Sequence, residues 1–419
     1  MSKSVLAEVL GEFDVPEGFW ANLVGCSVRQ LTEWRAGQRE LPASVADKFA
    51  RAIGVPADVL LNRARVEGGA VGLLPPMWLK ARAQGLGEKE HETIAKARML
   101  AAKYDETLAL LEPPSEKHRI FLNEIKSRVD VQAPATHQGA VAAAAFLDLS
   151  GLAQTQKGIG EVFRGALRAR GILILETPVS SPTFEGFCVP VGTVPTSRPC
   201  LLANSYRTTW FRRNYVLLHE LAHAIFDLEG ATAVFDTSTD TEGARGPVEA
   251  AARRIAEDRA DSFAMRALVS EELLVAMENR GYKLEHLGRE TFAHLIANVH
   301  AEQRTIVRAA LAYNMVDDEQ ARDLDAIVIP NRELAAVSKH ARGIAALSRE
   351  ELVYPEVQDW KDRMTTFPVM GIRLPIPFVR LVLQALGAEK ITAGKAAELL
   401  MVTREDLATR YGVHAETLP

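Results

Sequence analysis

His219-Glu220-Leu221-Ala222-His223 has the residue types and spacing for metal-assisted hydrolysis. On a helix, positions i and i+4 share one face, so both imidazoles can reach one zinc ion. Glu220 then stands beside the open coordination position. A carboxylate there can take a proton from water and pass it to a leaving amine. The neighbours predict a buried helix. Trp210, Phe211, Tyr215, Leu217, Leu218, Leu221, Ala222, Ala224, Ile225 and Phe226 put apolar groups on most sides, and Gly230 offers a stop. A buried helix has little reason to hold two histidines and a glutamate unless something satisfies them. The blander alternative is a surface helix with an incidental histidine pair.

A zinc site needs a third protein ligand. Downstream of the motif stand Asp227, Glu229, Asp236, Asp240, Glu242, Glu249 and Glu257. Glu257 is the best placed, in Glu257-Asp258-Arg259-Ala260-Asp261-Ser262-Phe263-Ala264. This segment reads as a helix with Ile255, Phe263, Ala264 and Leu268 inward. Glu257 and Asp261 again lie at i and i+4. The first suits the metal, and the second suits the free N–H of a ligand histidine. The alternative is an exposed helix with Glu257, Asp258 and Arg259 in surface ion pairs.

These residues, taken with Arg212 and Tyr215 ahead of the motif, resemble the ImmA/IrrE metallopeptidases. The lead-in is similar too: Ile159-Gly160, Ala169-Arg170-Gly171-Ile172, Glu185-Gly186-Phe187 and Leu201-Leu202-Ala203-Asn204. The resemblance spans roughly residues 140 to 315. It implies an amphipathic helix, a strand, a Gly-containing hairpin and an Ile/Leu-rich strand ending in Asn before the motif helix. It also implies a zinc cofactor and a protein substrate, a small DNA-binding repressor. Its cleavage would release genes for stress response, defence or mobile elements, with single-stranded DNA as the trigger to test. Val269-Ser270 departs from the Met-Pro common in that family, at the end of the third-ligand helix and away from the ligands.

The first 65 residues form a second unit. Phe19 to Gly25 reads as a short helix with a glycine stop, and Ser27 caps a helix from Val28 to about Arg35 with Leu31 and Trp34 inward. A third helix follows Leu41-Pro42, with Val45, Phe49, Ala50 and Ile53 on one side. The pattern Ala21-x-x-x-Gly25-x-Ser27-x-x-x-Leu31-x-x-Trp34-x-x-Gly37 resembles the XRE-type helix-turn-helix domain. That resemblance implies double-stranded DNA as a partner. Arg29 and Thr32 would point at bases, Glu33 would sit at the edge, and Arg35, Gln38 and Arg39 would lie near phosphate. Val15-Pro16-Glu17-Gly18 departs from it, offering an acid where the family often has a phosphate-binding Gln. Val28 can read only a thymine methyl. The alternative is a retained fold used for dimerisation or partner binding.

The expected architecture is α+β and predominantly helical. A helix-turn-helix bundle (1–66) leads through a helical connector (67–135) to a zincin-like peptidase domain with a small β-sheet (136–316), and a helical module (317–419) ends the chain. In the connector, Ile94, Ala97, Met99, Leu100, Tyr104, Leu108 and Leu111 make a stripe within a helix over 88–111, which suits a partner helix and a homodimer. The formal net charge of −5 excludes a molecule that binds nucleic acid by overall charge, so any DNA contact needs a local patch. Three cysteines argue for a reducing cytoplasm and against a disulfide framework. No apolar run approaches a membrane span.

Cys188, on the expected hairpin over the metal cleft, raises the idea of a thiolate latch at the open zinc position. A small apolar side chain in a sheet is the plainer reading of both Cys188 and Cys200. Tyr206, Arg207, Arg212 and Tyr215 lie within reach for an oxyanion donor, and the pattern selects none. The competing function is a DNA-binding regulator whose metallopeptidase fold senses a ligand with little or no proteolysis.

Overall fold

The computed structural model describes residues 4–11, 15–53, 55, 57–61, 88–112, 116–152, 157–177, 184–191, 198–205, 208–227, 234–237, 247–338, 376–400 and 402–411. The architecture is α+β and predominantly helical, with one small sheet. At the N-terminal end stand α1 (Val5–Leu10), α2 (Glu17–Val24), α3 (Val28–Arg35), α4 (Ala43–Ile53) and α5 (Ala57–Leu60). Gly25 ends α2 at φ 74, a left-handed turn that favours glycine. Ser27 then starts α3 through a reciprocal cap: its Oγ accepts from the Gln30 N–H, and Gln30 Oε1 accepts from the Ser27 N–H. Leu31 and Trp34 face inward, as their spacing requires.

Next come α6 (Glu88–Leu111), α7 (Lys117–Ser127), α8 (Ala135–Ser150) and α9 (Phe163–Ala169). The sheet consists of β1 (Leu173–Thr177), β2 (Phe184–Val191), β3 (Arg198–Asn204) and β4 (Val234–Thr237), in the order β1-β3-β2-β4. β1 runs parallel to β3, and β2 runs antiparallel to both β3 and β4. Between β3 and β4 lies α10 (Trp210–Phe226); after β4 comes α11 (Pro247–Leu268). Then follow α12 (Glu271–Asn279), α13 (Arg289–Val299), α14 (Gln303–Ala312), α15 (Asp318–Ala326) and α16 (Asn331–Val337). The last helices are α17 (Ile376–Gly387), α18 (Ala393–Leu400) and α19 (Arg404–Tyr411).

The period of two in the strands divides the core between the two faces of the sheet. Leu173, Leu175, Phe187, Val189, Cys200 and Leu202 point to one side, where they join α6, the N-terminal helices and α17 to α19. Ile174, Cys188, Leu201 and Ala203 point to the other side, into a core shared with α7 to α15. Every residue of β3 is buried, as a central strand covered on both faces should be.

The apolar stripe of α6 meets its own chain in part: Met99 and Leu100 are buried with the sheet and the N- and C-terminal helices. One expectation needs correction. Ile255 is exposed, although Phe263, Ala264 and Leu268 on the same helix are buried. Ala251, Ala252, Arg254 and Ile255 are all exposed, because the early turns of α11 extend past the described elements that cover its later ones. Gly230, Tyr206 and Arg207 lie outside the described residues, as do Glu229, Asp240, Glu242 and most of 317–375 beyond Ser338.

Candidate metal centre

α10 is the central helix of the second core. Thr209 caps its start, its Oγ1 accepting from the Arg212 N–H at 3.0 Å. From Trp210 to Ile225 every residue but Arg212 is buried. That enclosure takes in His219, Glu220 and His223. Their i, i+4 spacing aims both imidazoles toward α11.

α11 meets them with Glu257. Glu257 Oε2 lies 3.1 Å from His219 Nε2 and 3.7 Å from His223 Nε2, and the two Nε2 atoms are 3.1 Å apart. Three potential ligand atoms thus form a small triangle. Tetrahedral zinc with bonds of ~2.0–2.1 Å separates its ligand atoms by about 3.3 Å, so the triangle has the dimensions of one face of such a site. Glu257 Oε1 is buried with no hydrogen-bond partner among the described residues. The two imidazoles hold the Glu257 carboxyl well below its ordinary range, although burial alone would raise it.

The remaining ring nitrogens show how the triangle could accept a cation. His219 Nδ1 lies 3.2 Å from Asp261 Oδ1, and His223 Nδ1 lies 2.8 Å from Asp227 Oδ2. A carboxylate accepts, so each Nδ1 carries the proton when the ring is neutral and each Nε2 keeps its lone pair. Two lone pairs and a carboxylate oxygen then face one another in a buried space. A divalent cation resolves that repulsion and fits the donor set.

Asp261 takes the position expected of it. It also accepts from the Tyr215 hydroxyl at 2.6 Å and pairs with Arg308 at 3.4 Å. Burial raises the Asp261 carboxyl, but His219, Tyr215 and Arg308 outweigh this and bring it down to about 2. Asp227, read from sequence as one more ligand candidate, instead holds the far side of His223. Its place at i+4 from His223 was the available signal.

Glu220 has its side chain under β2. A Cβ built on Gly186 would meet Val216 Cγ1 at 2.5 Å, Leu202 O at 2.6 Å and Glu220 Oε1 at 3.2 Å. Only a residue without a side chain lets this strand pass so close to the carboxylate. Of the oxyanion candidates, Arg212 is held by both oxygens of Glu185 and Tyr215 is committed to Asp261. Cys188 is fully buried on β2. Burial and then the Glu220 carboxylate push its thiol well above the ordinary range, and its sulfur is not among the converging ligand atoms.

The residues expected at DNA stand on and just after α3, and several have acidic partners. Arg29 pairs with Glu33 at 3.0 Å, and Arg39 approaches Glu33 at 3.8 Å. Arg35 pairs with Glu17, and the Thr32 hydroxyl donates to Glu17 Oε2 at 3.2 Å. Gln38 follows the helix end, with its backbone N–H bonded to Glu33 O. Residues 1–61 contain 6 Lys and Arg against 8 Asp and Glu, so this unit carries no net positive charge. Comparison of the chain with protein-family models and with curated proteins finds no match to either.

Proposed function

We propose that the chain is a zinc-dependent endopeptidase of the ImmA/IrrE kind, acting in the cytoplasm on a partner protein. A repressor is the substrate that the resemblance implies. The observation that carries this reading is the triangle of His219 Nε2, His223 Nε2 and Glu257 Oε2, with each Nδ1 tied to a carboxylate. A zinc ion bound there would supply Lewis acidity and an open coordination position. His219, His223 and Glu257 would hold it, and Asp261 keeps the His219 imidazole in the ligating tautomer. Glu220 carries the proton: its carboxylate takes one from the attacking water and delivers it to the amine nitrogen as the peptide bond breaks. The backbone of β2 at Gly186 shields Glu220 on one side, and the low local dielectric strengthens its interaction with developing charge.

The test compares wild type with Glu220→Gln. Both are incubated with the repressor encoded nearest to this chain, with and without single-stranded DNA. Wild type should make a discrete cut that Glu220→Gln does not, while both retain zinc by elemental analysis. Equal cutting by Glu220→Gln removes the mechanism.

A second reading, a DNA-binding regulator with the metal centre as sensor, draws on one feature. α2, the turn at Gly25 and the capped α3 leave Arg29 with 89% of its side chain exposed. An exposed Arg–Glu pair is worth only about 0.2–1 kcal/mol, so Arg29 can exchange Glu33 for phosphate cheaply. DNA binding by wild type without any cut would favour this reading.

A further inference from the structure

The centre has a half-buried brace on the far side of His223. Asp227 is the last residue of the α10 turn that carries His223, and its backbone N–H bonds to His223 O at 2.9 Å. Its side chain folds back so that Oδ2 meets His223 Nδ1 at 2.8 Å. A carboxylate at a helix C-terminus opposes the helix dipole, so this position is unfavourable unless cations offset it. Arg259 supplies one: its Nη2 donates to Asp227 Oδ1 at 2.6 Å. Arg259 lies on α11, two residues from Glu257. Its Nη1 donates to Gln138 Oε1 at 3.2 Å, and its guanidinium lies 4.3 Å from the centre of the Phe226 ring. Gln138, on α8, is fixed in turn by donating to Val131 O and Ala133 O.

We infer that Asp227 is a positioning residue for His223, clamped by Arg259 and Gln138, and that this brace sets the ligand triangle before any metal arrives. The inference rests on the metal-site reading above. It accounts for three facts together. An acid occupies a helix end where the dipole disfavours it. Arg259, stacked on Phe226, points both terminal nitrogens at fixed acceptors. The same helix that offers Glu257 also fixes the second imidazole. The two imidazoles are held differently: Asp261 is partly open to solvent and shared with Tyr215 and Arg308, whereas the Asp227 brace ties α8, α10 and α11 together. Asp227 sets the direction of the His223 Nε2 lone pair, and Arg259 sets Asp227.

The experiment uses the full chain, with zinc affinity measured by chelator competition and the visible spectrum of the cobalt-substituted protein as a geometric readout. Asp227→Ala should weaken zinc binding about 10- to 100-fold and change the cobalt spectrum. Arg259→Gln should give a smaller loss of the same kind, and Asp227→Glu should recover part of it. Asp227→Ala with zinc affinity and cobalt spectrum equal to wild type overturns the inference. If Asp227→Ala does not fold, the wild type decides. In histidine-selective 15N spectra of the metal-free chain, at a pH where the ring is neutral, His223 should carry its proton on Nδ1, and a neutral ring protonated on Nε2 overturns the inference. A wild type that binds no zinc would count against the metal site itself, while the tautomer would still report on the brace.

Discussion

Gly139 to Ala is a change far from the reacting groups that should nevertheless reach the metal centre. Gly139 lies inside α8, where helix propensity alone makes alanine better than glycine by about 0.8–1 kcal/mol. The structure sets a larger cost against that gain. A Cβ at 139 would stand 2.4 Å from Arg259 O, 2.8 Å from Phe263 N and 2.8 Å from Ser262 Cβ, all on α11. Two of these atoms are backbone and cannot swing away. Relief to 3.0 Å, which real Cβ atoms essentially never undercut, means parting α8 and α11 by about 0.6 Å. Overpacking of this kind costs about 1–3 kcal/mol, so after the propensity gain the net loss is about 0–2 kcal/mol, near 1 kcal/mol at mid-range.

The displaced helix carries Glu257 and Asp261. A shift of about 0.6 Å is about one fifth of the 3.1 Å between Glu257 Oε2 and His219 Nε2, and misplacement by about 1 Å costs on the order of 100-fold in a positioned site. Zinc affinity should therefore fall by about tenfold. Thermal melts of the metal-free chain and chelator competition measure the two effects. Gly165 is the control: it lies within α9 with nothing inside 4 Å of a built Cβ, so Gly165→Ala should melt slightly higher than wild type. A Gly139→Ala protein that melts at or above wild type with unchanged zinc affinity would refute the argument.

Gly186→Ala should keep zinc but lower kcat by at least tenfold, because the new methyl displaces β2 against Val216 and Glu220; peptidase assays with zinc analysis check this. Replacing Glu17 and Glu33 together by Gln should tighten DNA binding and steepen its salt dependence, since both acids hold the arginines at α3; unchanged binding in a mobility-shift titration speaks against DNA contact there. Lys103 is held down to about 8, from 10.5, by burial, against a smaller opposing effect of Glu398. Its depressed folded-state value means that the stability it contributes is present above pH 10.5 and is lost as pH falls through about 8. Lys103→Met should thus melt above wild type at pH 7, with the gap closing toward pH 10; a gap that widens with pH contradicts the sign.

The sequence alone determined what one element can present. The i, i+4 spacing put His219 and His223 on one helix face, and Glu257 and Asp261 on another. The Gly25–Ser27 turn marked the α2–α3 junction, whereas the strands β1 and β3 were implied by the family resemblance. The helical features follow from a period of 3.6 and from local capping, which a few neighbouring residues settle. Tertiary structure decided which faces meet. Asp227 read as one ligand candidate among seven until Arg259, 32 residues on, turned it toward His223. Met99 and Leu100 in the α6 stripe suited a partner helix, and elements of their own chain cover them. Ile255 had the right phase to be inward but stands half exposed. Spacing along a chain fixes the direction of a side chain relative to its own backbone; its partner depends on contacts between distant segments, which local periodicity does not encode.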